Sequence, residues 1–423
     1  MRPASKIIEH PMLEPEYRAE LGVLLRRELT RGCLDFHKLV RAAEGAYPSD
    51  VLSVLDSSKT DPTVGSAVQR LLLDLRNPEK RVAMQHLIEY PHVRDGLPEP
   101  HPLDFDWRFT RSTLNFVKQQ LNAMPTERIA VLGAPTLFTY LAENGLKAHL
   151  FDKNHHLIQH LKKIGHSSVT ECDLFAFSSE GSSFQYAVAD PPWYFEHYEA
   201  FIAAARTLLV PAGKLLLSVL PRLTRPSAIS DRFKVLKFAA NQGFDLVEVR
   251  AAQLHYASPP FEIEALKEDG LAINNWRSGD LFSFVLGSRS THRRKQVPPL
   301  VEDRWHTVKL GKTTVRIKQG SIGRRGSLNY QAASAAGSFR LRSVSRRSPV
   351  RSRITVWSSR NIALNVSKTP PLEDALRKLE HGESAEGAWA SVVYQYQLNE
   401  EESTKLREIM EVLIGDAGLV WNR

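Results

Sequence analysis

The sequence predicts an α/β fold: a doubly wound, mostly parallel sheet preceded by a helical module and followed by a basic β-rich module with terminal helices. Three observations predict it. Between about residues 104 and 287, short aliphatic runs alternate with amphipathic helical segments and are punctuated by glycine, the pattern of strands covered on both faces. Upstream, Leu and Val recur at three- and four-residue spacing. Downstream of Gly287, β-branched residues alternate with basic ones between Gly turns. At 423 residues there is room for two or three domains, and with 42% hydrophobic and 24% charged residues wholesale disorder is excluded.

Residues 1–88 read as the helical module, with EYRAELGVLLRREL, DFHKLVRAAEGAY, SDVLSVL and DPTVGSAVQRLLLDL as its helices. Ser49 and Asp61 stand where N-caps belong, the second before Pro62 at a first helical position. A winged-helix arrangement is one candidate, although no segment reads as a recognition helix rich in Arg, Asn and Gln. These helices could equally dock a protein partner. The polar, Pro-rich stretch from Glu89 to Asp106 reads as a linker.

Residues 104–287 then carry the sheet. RSTLNFVKQQLNAM predicts a helix, RIAVLG a buried strand, TLFTYLAENG a helix ending at Gly145, KAHLFDKN the next strand and HLIQHLKKIG another helix. SVTECDL, QYAVADPP, GKLLLSVL and FDLVEVRAAQLHY continue as strands, and NWRSGDLFSFVLG reads as the closing hairpin. SPPFE, Ser258 to Glu262, has two prolines without an acid before them and reads as a loop. Residues 288–368 form the basic β-rich module and 369–423 the helical tail, PLEDALRKLE and NEEESTKLREIMEVLIG.

The net charge of +9 conceals an asymmetry: residues 289–360 hold 18 Lys and Arg against Glu302 and Asp303, so the rest of the chain is acidic on balance. Such a region fits an anionic partner, RNA or DNA, with Arg346, Arg347, Arg351 and Arg353 as contacts. The plainer alternative is a solvated basic face. Cys33 and Cys172 are the only cysteines, which leaves no zinc framework or oxidised scaffold and suggests a reducing compartment. No run approaches 18 apolar residues, so no membrane segment is expected and a cytoplasmic location is. His155, His156, His160 and His166 flank one helix without acids at ligand spacing; they read as surface residues and no metal is expected.

The most informative run is QYAVAD entering Asp190, Pro191, Pro192, Trp193 and Tyr194. In an open parallel sheet, ligands sit beyond the carboxyl ends of the strands, which is where this run delivers an acid and two aromatics. The prolines remove two donors and stiffen the backbone, leaving carbonyls as acceptors for an amine. Asp190 can accept from the same amine, and Trp193 or Tyr194 offers a flat face to a planar base.

On these residues the stretch from Asp104 to Gly287 resembles the class I S-adenosylmethionine-dependent methyltransferases that carry an Asp/Asn-Pro-Pro-aromatic motif. FDWRFTRSTL, RIAVLGAPTLFTYL, HLFDKN and YAVADPPWY together are similar to the N6-adenine methyltransferase-like group, which includes ribosomal RNA adenine and elongation-factor lysine methyltransferases. The resemblance implies a Rossmann-like fold and S-adenosyl-L-methionine as cofactor. It implies that Gly133 admits the methionine portion, that Asp152 holds the ribose hydroxyls, and that Asp173 with Leu174 receives the adenine. GAPTL departs from the family's Gly-rich turn by lacking its second and third glycines. Taken singly, Gly133 could be a plain turn and Asp152 and Asp173 plain N-caps. The resemblance also puts Trp107 and Arg108 near the acceptor pocket, where Arg108 would touch a phosphate or pair with an acid, and Trp107 and Phe109 would line the pocket or anchor the linker.

The expected chemistry is direct displacement of the sulfonium by an amine held in line, with Asp190, Pro191, Pro192 and Trp193 as the catalytic set. Adenine N6 of RNA or DNA is the first expectation. A lysine acceptor on the same fold, and an inactive methyltransferase-like nucleic-acid-binding protein, are the alternatives. A polyamine aminopropyltransferase is weaker, since GAPTL lacks the dense acidic run such an enzyme would show.

Overall fold

The computed structural model describes residues 14–76, 96–178, 181, 183–287, 303–319, 327–334, 337–346 and 348–421. The chain divides into two compact units: Met1–Pro91 with Arg108–Ala257 and Leu271–Pro299, and His92–Trp107 with Ser258–Gly270 and Leu300–Arg423. Among the described residues no helix is long and apolar enough to cross a membrane.

The first unit opens with α1 (Pro15–Thr30), α2 (Phe36–Ala42), α3 (Pro48–Ser57) and α4 (Gly65–Arg76), whose Leu21, Leu25, Leu39, Val51, Leu55, Val68 and Leu71 form a shared buried stripe. Ser49 is not the cap the sequence suggested. Pro48 takes the first helical position after Tyr47, and Ser49 lies inside the first turn at 7% exposure. Asp61 does accept from the backbone N–H groups of Thr63 and Val64, closing the turn that enters α4.

The sheet follows: β1 (Arg108–Phe109), α5 (Arg111–Leu121), β2 (Arg128–Leu132), α6 (Pro135–Glu143), β3 (Lys147–Asp152), α7 (His155–Lys163), β4 (Val169–Glu171), β5 (Phe184–Ala189), α8 (Phe195–Leu208), β6 (Leu209–Val219), α9 (Ala228–Asn241), β7 (Phe244–Ala257) and β8 (Ser278–Leu286). Its order is β1-β7-β8-β6-β5-β2-β3-β4. Strands β2 to β6 pair in parallel, while β8 runs antiparallel to both β6 and β7. From β2 the chain moves outward through β3 and β4, then returns to the other side of β2 as β5. This is a Rossmann-like doubly wound sheet with its switch point between β2 and β5, where Leu132 stands opposite Ala189. Near-continuous apolar strands such as Ile129–Leu132, all fully buried, follow from cover on both faces.

In the second unit, β9 (Trp305–Leu310), β10 (Thr313–Lys318), β11 (Tyr330–Ala332), β12 (Val356–Ser358) and β13 (Ala363–Val366) make an antiparallel sheet in the order β11-β13-β12-β10-β9. Its Val308, Val315, Val356 and Leu364 share one core with Leu372, Leu376, Val392, Leu406, Met410 and Leu413 of α11 (Pro370–Glu380), α12 (Ala385–Tyr396) and α13 (Glu400–Asp416). The SPPFE loop is corrected: Pro259 is the N-cap and Pro260 the first residue of a helix, α10 (Pro260–Glu268), in whose first turn a missing N–H costs nothing.

In the described part of the basic region several arginines are paired internally. Arg316 pairs with Asp104, Arg340 with Glu264 and Asp416, Arg342 with Asp269, and Arg360 with Glu99. Its counter-charges thus come from residues 92–107 and 258–270 and from the terminal helix.

Candidate active site

The end of β5 places Asp190. Its backbone N–H donates to the Leu132 carbonyl and so continues the β5–β2 ladder one residue past the strand, and the chain then breaks at Pro191-Pro192. The Asp190 carboxylate accepts a 2.7 Å hydrogen bond from the Tyr256 hydroxyl, and that hydroxyl lies 2.6 Å from Ser218 Oγ. Trp193 Nε1 donates to the same Ser218 oxygen at 3.4 Å. Three strands therefore converge: β5 brings the acid, β6 the serine and β7 the tyrosine. Burial, and next the Asp190 charge, push the Tyr256 phenol well above its ordinary 10, so it stays a donor. The Phe109 ring, 5.0 Å away and tilted, packs against Tyr256.

Trp193 does not present the open platform expected of it. The residue is 9% exposed, its ring meets Tyr256 edge-on at 5.8 Å, and the Arg277 guanidinium lies over it at 4.7 Å. Gly279 makes room for this seat, since a Cβ there would come within 3.2 Å of the indole. Tyr194 is half-buried, with the Arg225 guanidinium 5.6 Å from its ring centre.

The residues nominated for the cofactor lie on or beside the adjoining strands. Gly133 follows β2 at φ +67°, and a Cβ there would approach Phe201 at 3.0 Å and the Asp190 carbonyl oxygen at 3.4 Å. Asp152 ends β3 and accepts from Asn154 N–H, while Asn154 caps α7. Asp173 caps the single 3₁₀ turn Leu174–Ala176 through Phe175 N–H. Asp173 therefore is the N-cap the sequence left open, whereas Asp152 is not, and bonds the backbone of the residue that caps α7. A carboxylate offers roughly four acceptor positions, so a capping bond does not by itself exclude a ligand. Cys172, between them, has its thiol pushed up to about 12 by burial and then by the charges of Asp152 and Asp173.

These residues fit S-adenosylmethionine. The glycine sits where a Cβ would be strained and crowded, and Asp152 ends β3 while Asp173 follows the adjacent β4, on the same side of the switch point. Asp173 is exposed and Leu174 beside it is buried, a pairing that suits an amine edge and a ring face.

Other nominated residues fall elsewhere. Arg108 is 2% exposed in β1 and does not reach out to a surface phosphate. Trp107 belongs to the second unit, edge-on to Phe261. Arg351 stacks on Phe105 and Trp357 and donates to the Val344 carbonyl, which commits it to packing. Arg346 is half-buried, Arg353 is exposed, and Arg347 lies outside the described residues. His155 pairs with Glu171, and His166 packs edge-on to Phe138. Sequence reasoning missed Tyr256, Ser218 and Arg277; the aromatic closing FDLVEVRAAQLHY was the one available signal.

A groove of about 580 Å³ lined by Arg128, Lys147, His149 and His166 opens at the opposite rim, at the start of β2 and β3. There α6 and α7 end, so basic groups complement helix C-termini, and it carries none of the motif residues.

No family model matches the chain, and no curated protein matches it. Among solved structures it is similar to the branched-chain polyamine synthase from Thermus thermophilus, at 14% identity and TM-score 0.47 over 69% of this chain and 98% of that one. It is also similar to TrmN from Thermus thermophilus (15%, TM-score 0.29, 41% of this chain and 48% of that one). A third is phosphoethanolamine N-methyltransferase 2 from Haemonchus contortus (19%, TM-score 0.29, 42% and 52%).

Proposed function

We propose that the chain is an S-adenosylmethionine-dependent N-methyltransferase whose acceptor is a planar aromatic amine, adenine N6 of RNA or DNA. The observation that carries this reading is the Asp190 carboxylate, held by Tyr256 at the switch point, on a residue whose backbone carbonyl lies beside Gly133. The cofactor, held by Gly133, Asp152, Asp173 and Leu174, would supply an electrophilic methyl on sulfur.

The chain's own part is positioning and charge. An exocyclic amine conjugated to its ring is a weak nucleophile, because its lone pair is delocalised. Accepting its N–H groups at Asp190 and at the Pro191 carbonyl favours the pyramidal nitrogen that can attack. Both acceptors are fixed before the reaction, Asp190 by Tyr256 and Pro191 by its ring, so no reorganisation is needed as positive charge develops on nitrogen. Once alkylated, the nitrogen is acidic and loses its proton readily, so Asp190 need not be a strong base. A lysine would instead have to arrive neutral, against a reference pKa near 10.4.

The test is incubation of a cell lysate with the protein and methyl-labelled cofactor, followed by separate digestion of the nucleic-acid and protein fractions. Label in N6-methyladenine that disappears with Asp190→Ala is expected. Label confined to methyl-lysine would replace the acceptor, and label unaffected by Asp190→Ala would remove Asp190 from the chemistry.

A further inference from the structure

The groove at the start of β2 and β3 takes no part in the chemistry proposed at Asp190. The five residues of β2, at about 3.3 Å each, put roughly 17 Å between Arg128 and Gly133. Arg128 opens β2 and Lys147 opens β3, and the two are register partners on these parallel strands. Their side chains therefore leave the sheet on one face at the spacing of neighbouring strands, about 4.8 Å, and His149, two residues further along β3, shares that face. The charges are felt there: burial, and next the Arg128 charge, hold His149 below its usual 6.5.

None of the described residues that line the groove is acidic. Arg128 donates from Nη1 to Ser183 Oγ at 2.9 Å, and its guanidinium lies 4.5 Å from the Phe184 ring centre. Those contacts steady the group and leave its charge uncompensated. Lys147 is exposed and makes no ion pair among the described residues. The helix ends beside the groove offset these charges only in part, because backbone donors already close them. Gly145 N–H donates to the Ala142 carbonyl and Leu146 N–H to that of Leu141, and α7 ends in the same way, from Gly165 to Lys162 and from His166 to Leu161. Both glycines are left-handed, at φ +74° and +101°, as this closure requires.

A single carboxylate would neutralise only one of the two cations. A phosphate monoester, or two successive phosphates of one strand, neutralises both, matches the guanidinium fork with its oxygens and accepts from nearby hydroxyls. We propose that this groove is a phosphate-binding site: Arg128 and Lys147 receive the phosphate oxygens, with His166 and the hydroxyls of Ser167 and Ser168 lining the rest. The phosphate belongs either to a small phosphorylated ligand or to a nucleic-acid strand. The site stands independently of the acceptor and of the cofactor residues.

Inorganic pyrophosphate and an end-labelled oligothymidylate of about 12 nucleotides, within the usual single-strand site size, are the two probes, titrated into the full chain by calorimetry and by fluorescence anisotropy across a salt series. Wild type is compared with R128Q/K147Q and with K309Q/K312Q, which removes the same charge from exposed positions of the second unit. Thermal melts establish that each is folded; if R128Q/K147Q is not, K147Q alone is read in its place. R128Q/K147Q should bind at least about tenfold more weakly, the loss of one charged hydrogen bond or more, while K309Q/K312Q binds as wild type. A loss confined to pyrophosphate assigns the groove to a small ligand. A loss in the oligonucleotide, with a log K against log salt slope shallower by roughly 0.7 for each cation removed, assigns it to a strand. Equal losses in the two double variants overturn the proposal, because they report overall charge. So does R128Q/K147Q binding both probes as wild type does, or wild type binding neither. None of these outcomes touches the reading of Asp190, which the labelled-cofactor experiment decides.

Discussion

The Tyr256 hydroxyl donates to the Asp190 carboxylate at 2.7 Å although two strands, β8 and β6, separate their own strands in the sheet. A tyrosine spans that distance where a shorter side chain would not, and Ser218 on β6 fixes it halfway. Tyr256→Phe removes a hydrogen bond to a charged group, worth about 1.5–3 kcal/mol, which corresponds to a fall in kcat of roughly 10- to 150-fold. Cofactor affinity should not change, because Tyr256 is remote from Asp152 and Asp173 in the strand order. The phenol stays protonated across the working range, so the alkaline limbs of the wild-type and variant pH–rate profiles should coincide. Single-turnover kinetics with cofactor titration checks both points; a displaced limb would make Tyr256 a titrating group.

Gly133 is constrained twice, by a left-handed φ of +67° and by Phe201 at 3.0 Å from where a Cβ would stand. Gly133→Ala therefore costs backbone strain of about 1–2 kcal/mol before any steric conflict. Thermal unfolding should fall by several degrees, at roughly 2–4 °C per kcal/mol for a domain of this size. Cofactor binding should weaken beyond what the stability loss explains. Adding Phe201→Leu relieves the contact without relieving φ, so it should recover part of the melting temperature and little of the cofactor affinity. Isothermal titration beside the thermal melts separates the two effects.

The sheet was legible because its signals are local. RIAVL, KAHLFD and FQYAVA are runs whose period, glycine stops and order require nothing beyond their own window, and Asp190 could be placed at a strand end from the proline pair that follows it. The surroundings of Asp190 were not legible, since Tyr256, which bonds it, and Ser218, which bonds Tyr256, join the site only through pairing of β6, β7 and β8. The internal pairing of the basic run was not legible for the same reason. A charge count taken along the sequence cannot see that Glu99, Asp104, Glu264 and Asp269, far away in the chain, fold onto those arginines. Ser49 and SPPFE were misread because a proline at the first helical position shifts the cap by a residue or turns an apparent loop into a helix start.

Within the second unit, Arg360 lies between two acids, its Nε 3.4 Å from Glu99 and its Nη1 donating to the Asp416 carbonyl at 3.1 Å. Arg340 and Ser358 hold the Asp416 carboxylate, which is 2% exposed. Burial pushes both carboxyls, Glu99 and Asp416, above the usual carboxylate range despite these partners. Arg360→Met leaves them less compensated and should cost about 3–5 kcal/mol at neutral pH. A raised carboxyl binds its proton more tightly in the folded state, so the deficit should shrink as pH falls through the raised range. Urea unfolding of wild type and variant at pH 7 and pH 5 tests this; a deficit that grows on acidification would contradict it.

His101 gives the opposite pH dependence. Its Nε2 lies 2.9 Å from the Trp357 carbonyl, which can only accept, while its Nδ1 accepts from Leu103 N–H at 3.1 Å. Those two contacts select the neutral ring protonated at Nε2, because a proton on Nδ1 would oppose the Leu103 donor. Burial first, then the nearby charge of Arg316, hold its pKa well below 6.5. The unfolded chain binds a proton near pH 6.5 and the folded chain does not, so stability is full above that value and declines as pH falls below it. The slope from this one group is about 1.4 kcal/mol per pH unit. His149 and His255, also lowered by burial, add a similar trend in the first unit. The decisive quantity is therefore the difference between wild type and His101→Gln. The variant should be less stable at pH 7.5 for want of the imidazole contacts, and its denaturant midpoint should decline less steeply between pH 6.5 and 5. Parallel declines in the two proteins would show that His101 titrates alike in the folded and unfolded states, which the Leu103 contact does not allow.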